Sequence, residues 1–255
     1  MQTLYGRTAV MAGATAGDGR ETVKTLCAAG MNVVMMTHNR TAAEELTAEV
    51  KAAGAPGACA YYAGGRGQLP PEHDPAVYED IQSRFGSVDV IIANTGADGH
   101  RDSIETLDPE ELEKSLSHLA GGAFRMLQTA LPFLKQSKAP RVILMSSAEG
   151  IHGGTRESLA NAVAKGAVAS LALNAAARLA PLGIPVNCIA KGAIPRAEGV
   201  RPGDPDPAER LTSIPMGRLG SQKDLAEAAA FLASEESEYL TGQILELSGG
   251  LNLGR

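Results

Sequence analysis

The stretch TAVMAGATAGDG, residues 8–19, decides the fold of this chain, because an apolar run of strand length passes directly into a loop with three glycines. Residues 20–29 continue as a helix, and Gly30 is well placed to end it. In this strand–loop–helix context the glycine spacing predicts a loop whose backbone N–H groups hold a dinucleotide pyrophosphate at the positive end of the helix. The expected members of this loop are Gly13, Thr15, Gly17, Asp18 and Gly19.

Apolar runs of strand length alternate with helical stretches along the rest of the chain. Such runs are typical of strands buried on both faces of a parallel sheet, and the alternation gives right-handed βαβ units. The sequence therefore predicts an α/β fold in one domain, residues 1–255: a doubly wound parallel sheet (Rossmann fold) in three αβα layers. The predicted strands are 8–12, 32–37, 58–62, 88–93, 141–145, 185–190 and 243–247, and the predicted helices are 20–29, 42–53, 110–134, 157–180 and 222–234. Two loops, 64–75 and 197–210, are expected to border the ligand crevice at the carboxyl ends of the strands.

Composition excludes several classes of partner. The net charge of −6 and a pI near 5.4 argue against a nucleic-acid or anionic-membrane surface. No run approaches the ~20 apolar residues of a membrane span. Three widely spaced cysteines suggest neither a metal site nor a disulfide framework. We expect a cytoplasmic protein that acts on a small molecule and binds neither metal, nucleic acid nor membrane.

The end of the second predicted strand indicates which nucleotide the loop would hold. The strand runs into Thr37-His38-Asn39-Arg40, with no acidic residue to bind the ribose 2′-hydroxyl of NAD. Hydroxyl, imidazole and guanidinium groups suit a 2′-phosphate, so NADP(H) is favoured over NAD(H). Asp18 weakens the expectation of any nucleotide, because its carboxylate stands where the anionic pyrophosphate should lie.

Several further motifs resemble those of the classical short-chain dehydrogenase/reductase family, in order and at similar spacing over residues 5–250. They are Ala93-Asn94-Thr95-Gly96, Ile143-Leu144-Met145-Ser146-Ser147, Lys165-Gly166-Ala167-Val168-Ala169-Ser170-Leu171, Ile184-Pro185-Val186-Asn187-Cys188-Ile189-Ala190 and, near the end, Ile214–Gly220, Leu240–Gln243 and Ser248–Gly250. The resemblance implies hydride transfer between NAD(P) and an alcohol or ketone, and a homodimer or homotetramer. It implies that Ser147 holds the carbonyl, that Lys165 grips the ribose, and that Asn94, Gly96, Gly192 and Ile194 contact the cofactor.

The same resemblance marks departures at the catalytic positions. The family's catalytic tyrosine, four residues before Lys165, is replaced by Asn161, and its relay asparagine by Leu119. Lys191 replaces a proline before Gly192, and Ala63 or Gly64 replaces the aspartate that contacts adenine. An asparagine amide can orient a carbonyl but exchanges no proton near neutral pH.

Two histidines are candidates for the missing proton carrier, since imidazole titrates near neutral pH. His152 follows the serine strand and His100 follows the fourth strand. We expect an atypical NADP(H)-dependent oxidoreductase with a degenerate site made of Ser147, Asn161, Lys165 and His152, acting on a small carbonyl, alcohol or activated alkene. Two alternatives stay open: a non-redox isomerase, lyase or hydratase on the same scaffold, and a catalytically inactive binding protein that needs no cofactor.

Overall fold

A parallel sheet of seven strands forms the middle layer of the computed structural model, which describes residues 4–64, 70–96, 103–154, 158–195 and 211–253. The strands are β1 (Thr8–Ala12), β2 (Asn32–Thr37), β3 (Cys59–Ala63), β4 (Val90–Ala93), β5 (Arg141–Ser147), β6 (Val186–Lys191) and β7 (Ile244–Leu247). Their order across the sheet is β3-β2-β1-β4-β5-β6-β7, and all pairs are parallel. All seven predicted strands are confirmed, with bounds that differ by at most two residues.

Helices cover both faces of the sheet. They are α1 (Gly17–Ala28), α2 (Arg40–Ala52), α3 (Pro75–Phe85), α4 (Pro109–Leu116), α5 (Gly122–Leu134), α6 (Ala148–His152), α7 (Leu159–Leu179) and α8 (Gln222–Ala233). Successive side chains of β1 pack into two apolar cores on opposite faces of the sheet. Val10 lies in the core with α3, α5 and α7, and Met11 lies in the core with α1, α2 and α8. This arrangement confirms the predicted doubly wound α/β fold in three layers.

Helix α3 is the main element that the sequence analysis did not assign. Asp74 accepts a hydrogen bond from the N–H of Ala76, Pro75 occupies the first turn, and Gly86 ends the helix in a left-handed conformation with φ of 86°. These are ordinary start and stop signals. The helix was not predicted because the expected loop, residues 64–75, ends where the helix begins.

The long helix predicted over residues 110–134 is interrupted in the structure. A π-helical segment, Ser117–Gly121, separates α4 from α5. It contains Leu119, which the resemblance matches to the relay asparagine, and the Leu119 side chain is fully buried. Hydrophobic spacing cannot reveal one extra residue in a turn, because the apolar face continues on both sides of it.

Helix α7 is long and apolar in composition. By length and composition the stretch Leu159–Leu182 could cross a membrane, with a mean hydropathy of 1.2 and 44% of it buried. In the structure α7 packs against β5 and β6 and places Ala164, Val168 and Ala172 in the first apolar core. A core helix under a parallel sheet meets the same test, and this packing accounts for its apolar composition.

Candidate active site

The strand order places a crevice beyond the carboxyl ends of the central strands β1 and β4. β1 lies between β2 and β4, so the chain leaves β1 to one side and β4 to the other. Ligands of doubly wound sheets bind at such a switch point, beyond the carboxyl ends of the strands. The loop after β1, Gly13–Ala16, and the residues after β4, Asn94–Gly96, both lie there.

Two glycines of the first loop permit close packing, and a third leaves open space. A Cβ on Gly13, whose φ is +68°, would stand 2.0 Å from the backbone oxygen of Asn94. One on Gly19 would stand 2.0 Å from the oxygen of Gly13. Gly17 also has positive φ, +50°, but nothing lies within 4 Å of its missing side chain. The start of the loop is therefore packed against Asn94, directly after β4, while the space beside Gly17 at the start of α1 is open.

Helix α1 begins without a capping side chain. Its N-cap residue is Ala16, and no side-chain hydrogen bond caps the first turn. Among the described α-helices, each other one that does not continue from a preceding helix has such a cap, supplied by Asn39, Asp74, Asp108, Ser147, Ser158 and Ser221. An uncapped helix start with open space at Gly17 is the arrangement that a phosphate group fits. The residues at this position suit a dinucleotide pyrophosphate.

Asp18 does not point at that space. Its Oδ2 accepts a hydrogen bond from Lys191 Nζ at 2.6 Å, and its Oδ1 accepts one from Asn94 Nδ2 at 3.1 Å. Burial raises the pKa of the Asp18 carboxyl, but the nearby Lys191 charge and the hydrogen bonds from Lys191, Asn94 and the Gly19 backbone outweigh burial and lower it. The carboxylate is thus neutralised locally, which removes the expected repulsion of a pyrophosphate.

Asn94 joins the two sides of the crevice. Besides Asp18, its amide Nδ2 donates to the backbone oxygen of Gly13 at 3.2 Å. Asn94 is 5% exposed, and within the described residues its buried Oδ1 has no hydrogen-bond partner. A buried acceptor without a donor is costly. A hydroxyl of a bound ribose is a group that this oxygen could accept from.

The residues after β2 line the crevice on the opposite side. His38, Asn39 and Arg40 are all exposed. Asn39 uses its side-chain oxygen to cap α2. The Tyr61 hydroxyl donates to Glu44, which raises the pKa of Tyr61, and the nearby Arg40 guanidinium opposes this only in part. Imidazole and guanidinium groups therefore flank the end of β2, as a 2′-phosphate requires.

Ser147 and Lys165 are brought together at the end of β5. Ser147 is 3% exposed, and its Oγ accepts a hydrogen bond from the N–H of Gly150 at 3.1 Å. Lys165, also 3% exposed, donates from Nζ to the backbone oxygens of Met145 at 2.8 Å and Thr95 at 2.6 Å. The lysine thus links β5 to the segment after β4 and holds its ammonium group in the crevice.

Asn161 stands one turn before Lys165 in the first turn of α7. Its backbone N–H is bonded to the Ser158 side chain that caps the helix. Residues four apart share one face of a helix, so Asn161 and Lys165 are presented in the same direction. Close packing of α6 on α7, where a Cβ on Gly150 would stand 2.7 Å from the nitrogen of Gly166, brings the segment after Ser147 against this face.

His152, the predicted proton carrier, has a carboxylate partner that the sequence did not indicate. Its Nε2 lies 2.7 Å from Oε2 of Glu246 on β7, and the two side chains are 19% and 24% exposed. Asn252 Nδ2 donates to the other carboxylate oxygen at 2.7 Å. Burial raises the pKa of Glu246, but hydrogen bonds with Ser248, Asn252 and His152 lower it. The imidazole is held in one orientation by an ionised carboxylate.

The remaining predicted positions are distributed along the same edge. The Thr15 hydroxyl lies 3.5 Å from that of Thr37, Gly96 is exposed, and Gly192 is pressed against Ser248, where a Cβ would stand 2.6 Å from its Cα. Ile194 packs near Gly220 and the second apolar core. His100 and the loop 197–210 lie outside the described residues. In the parts of the chain that the structure covers, no three His, Cys, Asp or Glu side chains group to hold a metal.

Known proteins resemble this chain over nearly its whole length. The family model described as Enoyl-(Acyl carrier protein) reductase matches residues 13–252. The 3-oxoacyl-[acyl-carrier-protein] reductase FabG of Staphylococcus aureus is 32% identical over 248 residues, 96% of this chain and 98% of its own. That of Escherichia coli is 30% identical over 252 residues, 96% of this chain and 97% of its own.

Solved structures show the same fold at lower identity. A short-chain type dehydrogenase/reductase from Mycobacterium ulcerans superposes with a TM-score of 0.88 at 22% identity, over 98% of this chain and 90% of that one. A short-chain dehydrogenase/reductase variant from Serratia marcescens gives a TM-score of 0.81 at 24% identity, over 98% of this chain and 99% of that one.

Proposed function

Because this chain belongs to the classical short-chain dehydrogenase/reductase family, a family of oxidoreductases, we propose that it transfers a hydride between NADP(H) and a small organic carbonyl, alcohol or activated alkene. The proposal includes an atypical active site in which Asn161 stands at the position of the family's tyrosine. The named relatives act on 3-oxoacyl groups, so a 3-oxoacyl thioester is the first substrate class to consider.

The proposal rests on the location of three features at one crevice. They are the uncapped start of α1, Asp18 paired with Lys191, and the buried Lys165 ammonium. The open space at Gly17 and the uncapped first turn of α1 would hold the pyrophosphate. Lys165 would bind ribose hydroxyls as a donor, and Asn94 through its Oδ1, which has no hydrogen-bond partner among the residues that the structure describes. When bound, NADP(H) supplies or accepts the hydride.

The substrate oxygen would be held by two neutral donors. Within the described part of the chain, Ser147 Oγ only accepts a bond, from Gly150, so its hydroxyl proton is available to a carbonyl oxygen. The Asn161 amide would add a second donor from α7. Neither group exchanges a proton near neutral pH, so both orient and polarise the carbonyl without completing its reduction.

Proton transfer is assigned to His152. Glu246 fixes the orientation of the imidazole through its Nε2, as a carboxylate does for a catalytic histidine. His152→Gln is expected to lower turnover about 10²–10⁴-fold, the usual contribution of a general acid. Its matched control is His118→Gln, on the π-helical segment. Equal turnover of both variants would remove His152 from the mechanism.

Calorimetric titration of the purified protein with NADPH and NADH tests the function itself. We expect NADPH to bind more tightly, and Arg40→Met to weaken NADPH binding about 10–100-fold with little effect on NADH, because charge-assisted bonds to a phosphate contribute ~1.5–3 kcal/mol. Arg178→Met, in the last turn of α7, is the matched control. If neither nucleotide binds, the proposal fails.

The alternatives make different predictions in the same experiment. A non-redox isomerase, lyase or hydratase would turn over without nucleotide, and a binding protein would show neither turnover nor dependence on His152. The non-redox hypothesis drew on the Asp18 carboxylate as an obstacle to the cofactor. Lys191 and Asn94 both donate hydrogen bonds to that carboxylate. This weakens the argument for a non-redox enzyme and favours the oxidoreductase hypothesis.

A further inference from the structure

Asp18, at the start of α1, forms an ion pair with Lys191, which stands where the family resemblance expects a proline. We propose that this pair balances the charge beside the nicotinamide half of the crevice, and so sets the relative affinity for the oxidised and reduced forms of the cofactor. The inference rests on the proposed function, because it requires that NADP(H) binds there.

The placement of the pair follows from strand register. Lys191 is the last residue of β6 and lies beside Ser147, the last residue of β5. Asp18 is in the first turn of α1, directly after the glycine loop. His38 and Arg40 lie on the opposite side of the crevice, beyond β2. A dinucleotide whose 2′-phosphate lies toward Arg40 must therefore extend its other half toward Ser147 and the ion pair.

The pair is close and poorly screened. Lys191 Nζ and Asp18 Oδ2 are 2.6 Å apart, and the side chains are only 25% and 19% exposed. Partly buried charges are screened much less by salt than exposed ones. Together the two charges largely cancel at a distance, so that neither form of a bound ring is strongly preferred. Either charge alone would act on its surroundings.

The two forms of the cofactor respond differently to such a charge. The oxidised nicotinamide ring is positively charged and the reduced ring is neutral. An unpaired ammonium therefore disfavours the oxidised form, and an unpaired carboxylate favours it, whereas the adenosine half contributes equally to both. The ratio of the two dissociation constants, Kd(NADP⁺)/Kd(NADPH), isolates this effect from the rest of the binding energy.

Three variants test the proposal: Asp18→Asn, Lys191→Met and the double variant. Dissociation constants for NADP⁺ and NADPH are measured by calorimetry at about pH 8, where carboxylates are ionised. We expect the ratio to rise about tenfold in Asp18→Asn, to fall about tenfold in Lys191→Met, and to return near the wild-type value in the double variant. Tenfold corresponds to about 1.4 kcal/mol, a modest energy for two charges in a partly buried site.

Lys24→Met is the matched control, because Lys24 pairs with Glu49 at 3.0 Å on the exposed side of α1. It should leave the ratio unchanged. If nucleotides bind and the ratio is unchanged, or moves in the same direction, in both single variants, the charge-balance proposal is overturned while the proposed function stands. If no nucleotide binds to the wild-type protein, the proposed function itself fails. Should one single variant not fold, the other and the neutral double variant give the same comparison.

Discussion

Replacing the buried lysine of the crevice, Lys165→Met, should destabilise the protein measurably even in the absence of any ligand. The Lys165 side chain is 3% exposed, and its ammonium donates to two backbone oxygens, those of Met145 and Thr95, at 2.8 and 2.6 Å. Methionine fills a similar volume but leaves both carbonyls without this donor. The Met145 contact is buried and the Thr95 contact is partly buried, and a buried acceptor left without a partner costs roughly 1–3 kcal/mol.

The net effect is smaller than the sum of these costs, because the variant no longer buries a charge. We therefore expect the free energy of unfolding to fall by about 2–4 kcal/mol. For a chain of this size that corresponds to a decrease in Tm of roughly 5–12 °C. Thermal unfolding followed by circular dichroism, with urea unfolding as a second method, measures it directly.

The same substitution at an exposed lysine gives the comparison. Lys24 is 41% exposed in its side chain and pairs with Glu49 on the surface, so Lys24→Met should change stability by no more than about 1 kcal/mol. If Lys165→Met unfolded at the same temperature as this control, the two carbonyl contacts would contribute nothing to stability. The lysine would then be retained for ligand binding alone.

Three further predictions concern the glycine loop and the thiols. Gly13→Ala should lower the free energy of unfolding by at least ~2 kcal/mol, because φ is +68° and the new Cβ would meet the Asn94 oxygen at 2.0 Å; an unchanged urea midpoint would contradict the observed loop packing. Asp18 has a lowered pKa, so its contribution to stability is complete above 3.8 and disappears as pH falls through the folded-state value. Asp18→Asn should therefore lose less stability than wild type between about pH 5 and 2, and parallel acid-denaturation curves would refute this. Among the thiols, a hydrogen bond from the neighbouring cysteine lowers the pKa of Cys59, whereas burial raises that of Cys188 to about 11; iodoacetamide at about pH 8 should label Cys59 first by mass spectrometry, and earlier labelling of Cys188 would overturn the assignment.

The sheet was predictable because most strands contain a continuous apolar run of about four residues. Val33–Met36 and Val90–Ala93 are four-residue apolar runs that are buried on both faces of the sheet. Such short, continuous apolar runs are typical of strands in a parallel sheet. Helix α3 was not predicted, although Asp74-Pro75 and Gly86 mark its ends. Proline and glycine in the preceding loop gave the stronger local signal.

The site was predictable only where its residues adjoin a strand end. Position in the chain was enough to locate the glycine loop and Ser147, which follow β1 and end β5. The pairings of Asp18 with Lys191 and of His152 with Glu246 were not predictable, since the partners are 173 and 94 positions apart in the chain. An ion pair leaves no periodic trace in a sequence. Glu246 in particular reads as one polar residue in an otherwise apolar strand.

The bare start of α1 has a consequence for how the protein responds to solution conditions. A capping side chain stabilises a helix by about 1 kcal/mol. Helix α1 lacks this contribution, because no side chain caps its first turn. An anion that settles on the first turn completes the helix, and by mass action it raises the population of the folded state. Amide hydrogens at the beginning of α1 should exchange with solvent faster than those at the starts of α2 and α8, and slow down when phosphate or a nucleotide is added. Under the proposed function, a bound nucleotide would therefore also stabilise the start of α1.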